Sequence, residues 1–380
     1  MELSLTAEQR LFVATVADFT DKTMSIQHVR GLAASGQSFA RSWWARAAEL
    51  GWTSLLVPEE NGGGSVSGAG LVDLTLVAEQ LGRTVAPGPL LTTNVVIAGI
   101  IAAGAGAAHG DTLGALMSGN SIASWAGYAP GRAFDPLRPG VTACRGGGGF
   151  VLSGAADRVE VADVADLFLI AATSDAGPCQ FLVPADTVGL RVVASSSLDA
   201  TRHFGALHLN DVLVPVDALV AAPATAADAV ERQLQTAAVL QSAETLGVIS
   251  RAFEFTVQWA FDRYTFGRPL ASYQALKHRF ADMKTWVEAC AAITAAAARS
   301  VQRGDADAAV MASAAKSYVG AKAPVILQDC VQLHGGIGVT WEHDLHLYLR
   351  RATVNRSLYG TPEEHRRRVA DRLDTRKDAA

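Results

Sequence analysis

Residues 263–283 read RYTFGRPLASYQALKHRFADM, and residues 332–351 read QLHGGIGVTWEHDLHLYLRR. Arg263 closes a long apolar helical pattern as a fixed cation, and Phe266 and Gly267 follow where an ordinary helix stops. A guanidinium placed there suits a phosphate. Gln274 opens a second helical pattern, while Gln332 precedes Gly335 and Gly336, whose missing side chains let a backbone approach a ligand closely. If the two long helices pack antiparallel, these points converge. Taken singly, each residue also has a plain packing reading: Arg263 capping a carbonyl, Phe266 in the core, the glycines turning the chain.

Outward from this stretch, the helical period governs everything after residue 222. Ile249, Phe253, Val257 and Ala260 share one face, and Leu276, Phe280, Met283, Val287 and Cys290 share the next. Asp305 is placed to cap a third helix reaching the neighbourhood of Pro324. Thr361, Pro362, Glu363 and Glu364 start the last one with a cap, an N1 proline and an acidic first turn. Residues 223–380 therefore read as a helical bundle of four-helix type with four or five helices. Residues 1–118 are also helical: Phe12, Val16 and Phe19 recur at helical steps, as do Trp44, Ala47 and Leu50, and Thr6 with Gln9 forms a capping box. Between them, residues 119–222 break into short β-branched runs: FVLSG after glycines 146–149, then LFLIAA, CQFLVPA, LRVVA and ALHLNDVLV. The fold class is α+β: an all-α domain, a central β-sandwich or barrel, and a bundle.

Composition sets outer limits. The chain has 380 residues, 49% hydrophobic and 18% charged, enough to bury a large core. A net charge of -5 gives no bulk basic face for nucleic acid. Cys144, Cys179, Cys290 and Cys330 have no close pairing and no metal-finger spacing, which suits a reducing compartment. No basic-then-apolar leader precedes MELSLTAEQ, and IAGIIAAGAGAAHG is interrupted before it spans a bilayer, so the expectation is a cytoplasmic protein without membrane insertion. GAGAAHG lacks the dinucleotide G-x-G-x-x-G spacing, and GGIGV does not follow a strand. Glu342, His343, Asp344 and His346 read as a helix start complementing the dipole; no metal is expected there.

The order and spacing of the opening segments resemble the C-terminal half of the acyl-CoA dehydrogenase family. LTAEQRLFVATVADF (5–19) is similar to its opening helix, and SWWARAAELGWTSLLVPEENGGG (42–64) with VAEQLGRTVAPGPLLTTNVV (77–96) to its next stretch. Residues 181–215 match its strand pattern more loosely. The resemblance implies FAD between the β domain and the bundle, a homo- or heterotetramer, and α,β-dehydrogenation of an acyl-CoA thioester to the 2-enoyl-CoA. It also implies an electron-transfer flavoprotein or similar acceptor. It assigns FAD contacts to Arg263, Phe266, Gln274, Gln332, Gly335, Gly336 and Thr361.

The chemistry needs a carboxylate base with a pKa raised toward neutrality, and the family keeps it at one of two places. Before the glycine leading into the last helix, this chain has Tyr359, and thirty residues before Gly267 it has Ala237. The nearest acids on that helix are Glu231 and Glu244; Glu244, roughly 10 Å along the same face from Ala237, is the candidate displaced base. In the β domain, Ala126 to Gly131 stand for the family's threonine-glutamate-proline-glycine segment, and Arg158 and Glu160 stand where a tryptophan and a threonine touch the flavin. By the resemblance, the motifs kept are those that in homotetrameric members reach a neighbour's FAD, and those lost are the ones that hold a chain's own ring and substrate. The pattern resembles that of the partner-type subunits of heteromeric actinobacterial, steroid-degrading acyl-CoA dehydrogenases. A flavin monooxygenase or oxidase on the same fold and a non-catalytic scaffold are the alternatives.

Overall fold

The computed structural model describes residues 5–378. Six helices come first: α1 (Ala7–Thr23), α2 (Ile26–Ser35), α3 (Arg41–Glu49), α4 (Gly70–Thr84), α5 (Leu90–Ala102) and α6 (Gly110–Met117). Eight strands follow: β1 (Ala123–Ala126), β2 (Val141–Gly146), β3 (Gly149–Glu160), β4 (Leu167–Ser174), β5 (Gly177–Pro184), β6 (Leu190–Ser195), β7 (Phe204–Val214) and β8 (Leu219–Ala221). Then come α7 (Ala226–Asp262), the short hairpin β9 (Tyr264–Thr265) and β10 (Arg268–Pro269), α8 (Gln274–Arg303), α9 (Ala308–His334), α10 (Leu345–Ser357) and α11 (Pro362–Asp378). The change of texture expected near residue 119 thus falls between α6 and β1. The four cysteines are all free.

The chain forms two compact units that cut across the three sequence segments. One comprises Met1–Ser35, Leu71–Ala86 and Ala238–Ala380, the other Gly36–Gly70 and Pro87–Ala237. The second unit is built on an eight-stranded sheet of order β6-β7-β3-β2-β4-β5-β8, with β1 parallel to β4. Gly147 and Gly148, both at positive φ, turn β2 into β3 at the pair Gly146↔Gly149, which is what the glycine run prescribes. The register of β3 on β7 slips between Ala156 and Val159, and Arg158 occupies the slip at φ 51°. Helix α5 is buried along nearly its whole length; Thr92 Oγ1 lies 3.0 Å from Ser124 Oγ, and Thr93 Oγ1 donates to the Ala123 carbonyl at 3.0 Å, so hydroxyls lock it to β1.

The first unit is the helical one. The Thr6 hydroxyl accepts the Gln9 amide and the Gln9 side chain accepts the Thr6 amide, both at 3.2 Å, completing the expected capping box. Helices α4 and α7 approach closely because each presents a glycine to the other. A Cβ at Gly82 would stand 2.0 Å from the Glu244 carbonyl, and one at Gly247 would stand 1.9 Å from the Glu79 carbonyl. Backbone cannot yield as a side chain does, so Gly247→Ala is expected to cost about 2–3 kcal/mol by overpacking, read as a lower midpoint in urea unfolding.

Two details differ from expectation. Pro324 does not end the third bundle helix; α9 runs through it to His334. Proline costs an interior helix about 3 kcal/mol, and here burial of Ala323, Ile326, Leu327 and Cys330 around it outweighs that penalty. Asp307, not Asp305, stands at the N-cap of α9, while Asp305 pairs with Arg303. Among the described residues no helix is long and apolar enough to cross a membrane.

Candidate functional site

Helix α7 ends at Asp262, and the chain reverses through a two-residue turn, Phe266 and Gly267, at φ 52° and 79°. Three contacts fix the hairpin: the Leu270 amide donates to the Arg263 carbonyl at 2.8 Å, the Tyr273 hydroxyl to the Thr265 carbonyl at 2.8 Å, and the Arg268 guanidinium lies 3.9 Å from the Tyr273 ring centre. A phenylalanine in left-handed backbone is strained by about 1–2 kcal/mol. Phe266 on this turn is 94% exposed, so it is not the core residue that a packing reading makes of it.

Among the described residues the Arg263 side chain caps no carbonyl. Its guanidinium lies 5.9 Å over the Trp259 ring and meets no carboxylate among the described residues. Trp259 in turn stacks on His334 with centroids 5.2 Å apart and planes 21° apart, which joins the end of α7 to the end of α9. His334 donates from Nδ1 to the Cys330 carbonyl at 2.8 Å, and burial holds its pKa below the usual imidazole value, so the ring is neutral. Asp329, one turn earlier on α9, pairs with Arg279 of α8. These contacts bring the ends of α7 and α9 and the start of α8 to one end of the unit. Gln274 and Gln332 are exposed there, as are Gly335 and Gly336. Gly335 needs its φ of 65° to end α9. No described residue requires a glycine at 336: an added Cβ there would meet no described atom within 4 Å. The room lies on the outward side. A cation, two amides and a bare backbone turn on an exposed crest fit the phosphate and sugar edge of a dinucleotide.

Thr361 is committed locally: its hydroxyl accepts the Glu364 amide at 3.2 Å, and Glu364 accepts the Thr361 amide at 2.7 Å. Tyr359 is buried at φ 56°, and its carbonyl accepts His365 Nε2 at 2.9 Å. His365 is 1% exposed, and burial, with Lys316 and Arg368 adding repulsion, drops its pKa to about 3. It is neutral when folded and ionises near pH 6.5 when unfolded. Its contribution is therefore whole above about pH 6.5 and falls by roughly 1 kcal/mol per pH unit below that, down to about pH 3. His365→Gln, which keeps a donor for the Tyr359 carbonyl, is expected to flatten this acid slope in urea unfolding between pH 7 and pH 5.

Ala237 is fully buried. Glu231 accepts the Gln235 side chain at 3.0 Å. Glu244 is buried with both oxygens engaged: Arg351 donates to Oε1 at 2.7 Å and Asn355 to Oε2 at 2.9 Å. Sequence reasoning missed these partners and the Trp259–His334 stack. The only signals were the four-residue spacings of Trp259 with Arg263 and of Arg351 with Asn355. In the 342–346 cluster, Asp344 pairs with Arg30 at 2.8 Å and His343 Nδ1 accepts the Leu345 amide at 3.1 Å. Among the described residues no three ligand-type side chains gather as a metal site.

In the sheet unit, Arg158 and Glu160 are side chains with work already assigned. The Arg158 guanidinium lies 4.2 Å from the Tyr128 ring centre and donates to Asp157 at 2.7 Å. Glu160, 3% exposed, pairs with buried Arg202 at 3.2 Å. A buried charge pair and a guanidinium-capped tyrosine do not offer the flat apolar wall that a flavin ring takes.

Models of the N-terminal and C-terminal domains of acyl-CoA dehydrogenase match residues 6–120 and 227–373. The chain is 32% identical over 364 residues to the acyl-CoA dehydrogenase IpdE2 of Mycobacterium tuberculosis, covering 95% of this chain and 96% of that one. This chain belongs to the acyl-CoA dehydrogenase family. Its fold is that of these FAD-dependent oxidoreductases, with helices on either side of a central sheet in sequence. Among solved structures it is similar to the ChsE4-ChsE5 complex of Mycobacterium tuberculosis, with TM-score 0.87, 27% identity and coverage of 98% of this chain and 99% of that one. A Tcur3481-Tcur3483 steroid ACAD variant is similar with TM-score 0.87, 28% identity and the same coverage.

Proposed function

We propose that this acyl-CoA dehydrogenase chain is the partner subunit of a heteromeric enzyme: it completes a neighbour's FAD site and leaves proton abstraction to that neighbour. One observation carries the reading. Phe266 stands 94% exposed on a strained turn beside Arg263, packed into no core among the described residues, and this supports a contact with a ligand held by another chain. Arg263 would face a phosphate, Gln274 and Gln332 would offer side-chain amides, and Gly335 and Gly336 would admit the ligand to the backbone. Thr361 reaches the cofactor in this reading only by its side away from the Glu364 cap. Bound FAD supplies the hydride acceptor, and an electron-transfer flavoprotein or similar carrier takes the electrons on.

The base positions support the same assignment. A phenol at 359 and a methyl at 237 take no α-proton from a thioester at neutral pH, and Glu244 is held as an ion-pair partner. The name of the similar steroid ACAD structure favours a CoA thioester with a bulky ring substituent, and that of the ChsE4-ChsE5 complex favours an assembly of two chain types; in the proposed enzyme that assembly is a cytoplasmic tetramer. Purified alone, the chain is expected to be colourless at 450 nm. Co-expressed with its neighbour, it is expected to give an assembly with one FAD per two chains. One tightly held FAD per chain in a homomeric preparation overturns the reading.

A further inference from the structure

The segment 127–140, between β1 and β2, folds back onto its own sheet. The Phe134 ring stands edge-on to Trp125, with centroids 5.8 Å apart and planes at 90°, and lies 4.3 Å from the Tyr128 centroid. Arg158 covers Tyr128 and is tied down on its far side. Its Nε donates to Asp157 at 2.7 Å, and its Nη2 donates to the Arg132 carbonyl at 3.1 Å and, at 3.4 Å, to that of Ala129. The backbone is stitched as well: the Asp157 amide donates to the Tyr128 carbonyl at 3.1 Å and the Ala155 amide to the Gly140 carbonyl at 3.1 Å. At Gly140 a Cβ would come within 2.4 Å of the Ala155 carbonyl, so only glycine lets the loop close this tightly.

Arg158 reaches Tyr128 because of the irregularity in β3. Between Ala156 and Val159 the pairing with β7 slips, and the left-handed backbone at Arg158, φ 51°, re-aims its side chain. A bulge that places a charged, strained residue over a buried tyrosine is a built feature. Beside it, Glu160 is held by Arg202, and the Ser124 hydroxyl donates to the Glu160 carbonyl at 2.6 Å.

We propose that the 127–140 loop and the Arg158 bulge form a plug, so that Tyr128, Phe134 and Arg158 close the flavin-facing surface of this chain's own sheet unit. The partner-subunit reading leaves that surface unemployed; the plug says what occupies it. This rests on that reading only for locating the surface. For a flat heteroaromatic ring to enter, Phe134 must leave Tyr128 and the Arg158 fork must lose its acid and carbonyl partners.

Two measurements on the full chain test it. Nitration of Tyr128 by tetranitromethane is expected to be slow in the wild type and about tenfold faster in Arg158→Ala, the factor lost with one cation–aromatic contact. Phe134→Leu, which keeps an apolar loop, is expected to raise it too, with circular dichroism checking the fold of both. An unchanged nitration rate in both variants overturns the plug. Hydrogen exchange with and without saturating FAD, in the chain alone and in the co-expressed assembly, is expected to show no protection of residues 124–160. FAD-dependent protection of that segment in the wild type overturns the plug. Lack of protection at 263–274 and 332–340 in the assembly counts instead against the partner-subunit reading, so the two failures are distinct.

Discussion

Arg263→Ala, made in the assembly with its neighbour, is expected to weaken FAD binding about tenfold to a hundredfold while leaving the unfolding of the chain itself unchanged. The guanidinium has no acid partner among the described residues, so its removal leaves no buried charge behind and no packed volume empty. A charge-assisted bond to a phosphate contributes about 1.5–3 kcal/mol, which is that range in affinity. Arg263→Lys keeps the charge and loses the planar fork, so it falls between the two. Phe266→Gly separates function from stability most sharply. Glycine accepts φ 52° without strain, so the chain is expected to melt slightly higher while its grip on FAD declines. Fluorescence titration of FAD beside thermal melts reads both quantities. Unmoved affinity in Arg263→Ala removes the crest from the cofactor site.

This separation also marks what the sequence makes legible. Local chemistry is readable: Thr6 with Gln9, the glycine run that turns β2 into β3, the stop after Asp262, and the cap at Thr361 follow from a few adjacent residues. Their physics is short-ranged. What is not legible depends on residues far apart in the chain. Whether Arg263 caps a carbonyl or faces outward turns on Trp259, whose other face is taken by His334. Whether Pro324 ends a helix turns on the burial of its neighbours, which outweighs a local penalty. Arg158 and Glu160 read as losses in a flavin wall, yet their replacement roles depend on Tyr128 and Arg202, which no local pattern couples to them. Glycines 82 and 247 stand where two helices approach closely enough to touch backbone to backbone, a role set by the partner helix and not by adjacent residues.

The Glu244–Arg351 pair is where the difference between a base and a structural acid becomes measurable. Arg351 is fully buried and donates to Glu244 Oε1 at 2.7 Å, the Val85 carbonyl at 2.9 Å and the Ala86 carbonyl at 3.1 Å. Val85 is a β-branched residue at φ 47°, a conformation that persists only when its surroundings impose it, and Arg351 is part of that restraint. Asn355 holds the second Glu244 oxygen at 2.9 Å and the Thr245 hydroxyl at 3.1 Å. Removing one partner of such a pair strands the other charge in the interior. Glu244→Gln and Arg351→Met are therefore each expected to lower unfolding stability by about 3–5 kcal/mol. Combining Arg351→Met with Glu244→Gln removes both charges at once and is expected to recover a large part of the loss, giving a coupling of about 2 kcal/mol or more in a double-mutant cycle. A general base behaves otherwise: its amide variant loses turnover with stability nearly intact, and no charge removal at 351 restores activity. Urea unfolding of the four forms, with turnover of the assembled enzyme measured at a temperature where every form is folded, separates the two. If Glu244→Gln is as stable as the wild type, Arg351 is not its partner in any energetic sense, and the displaced-base assignment becomes the better account of this carboxylate.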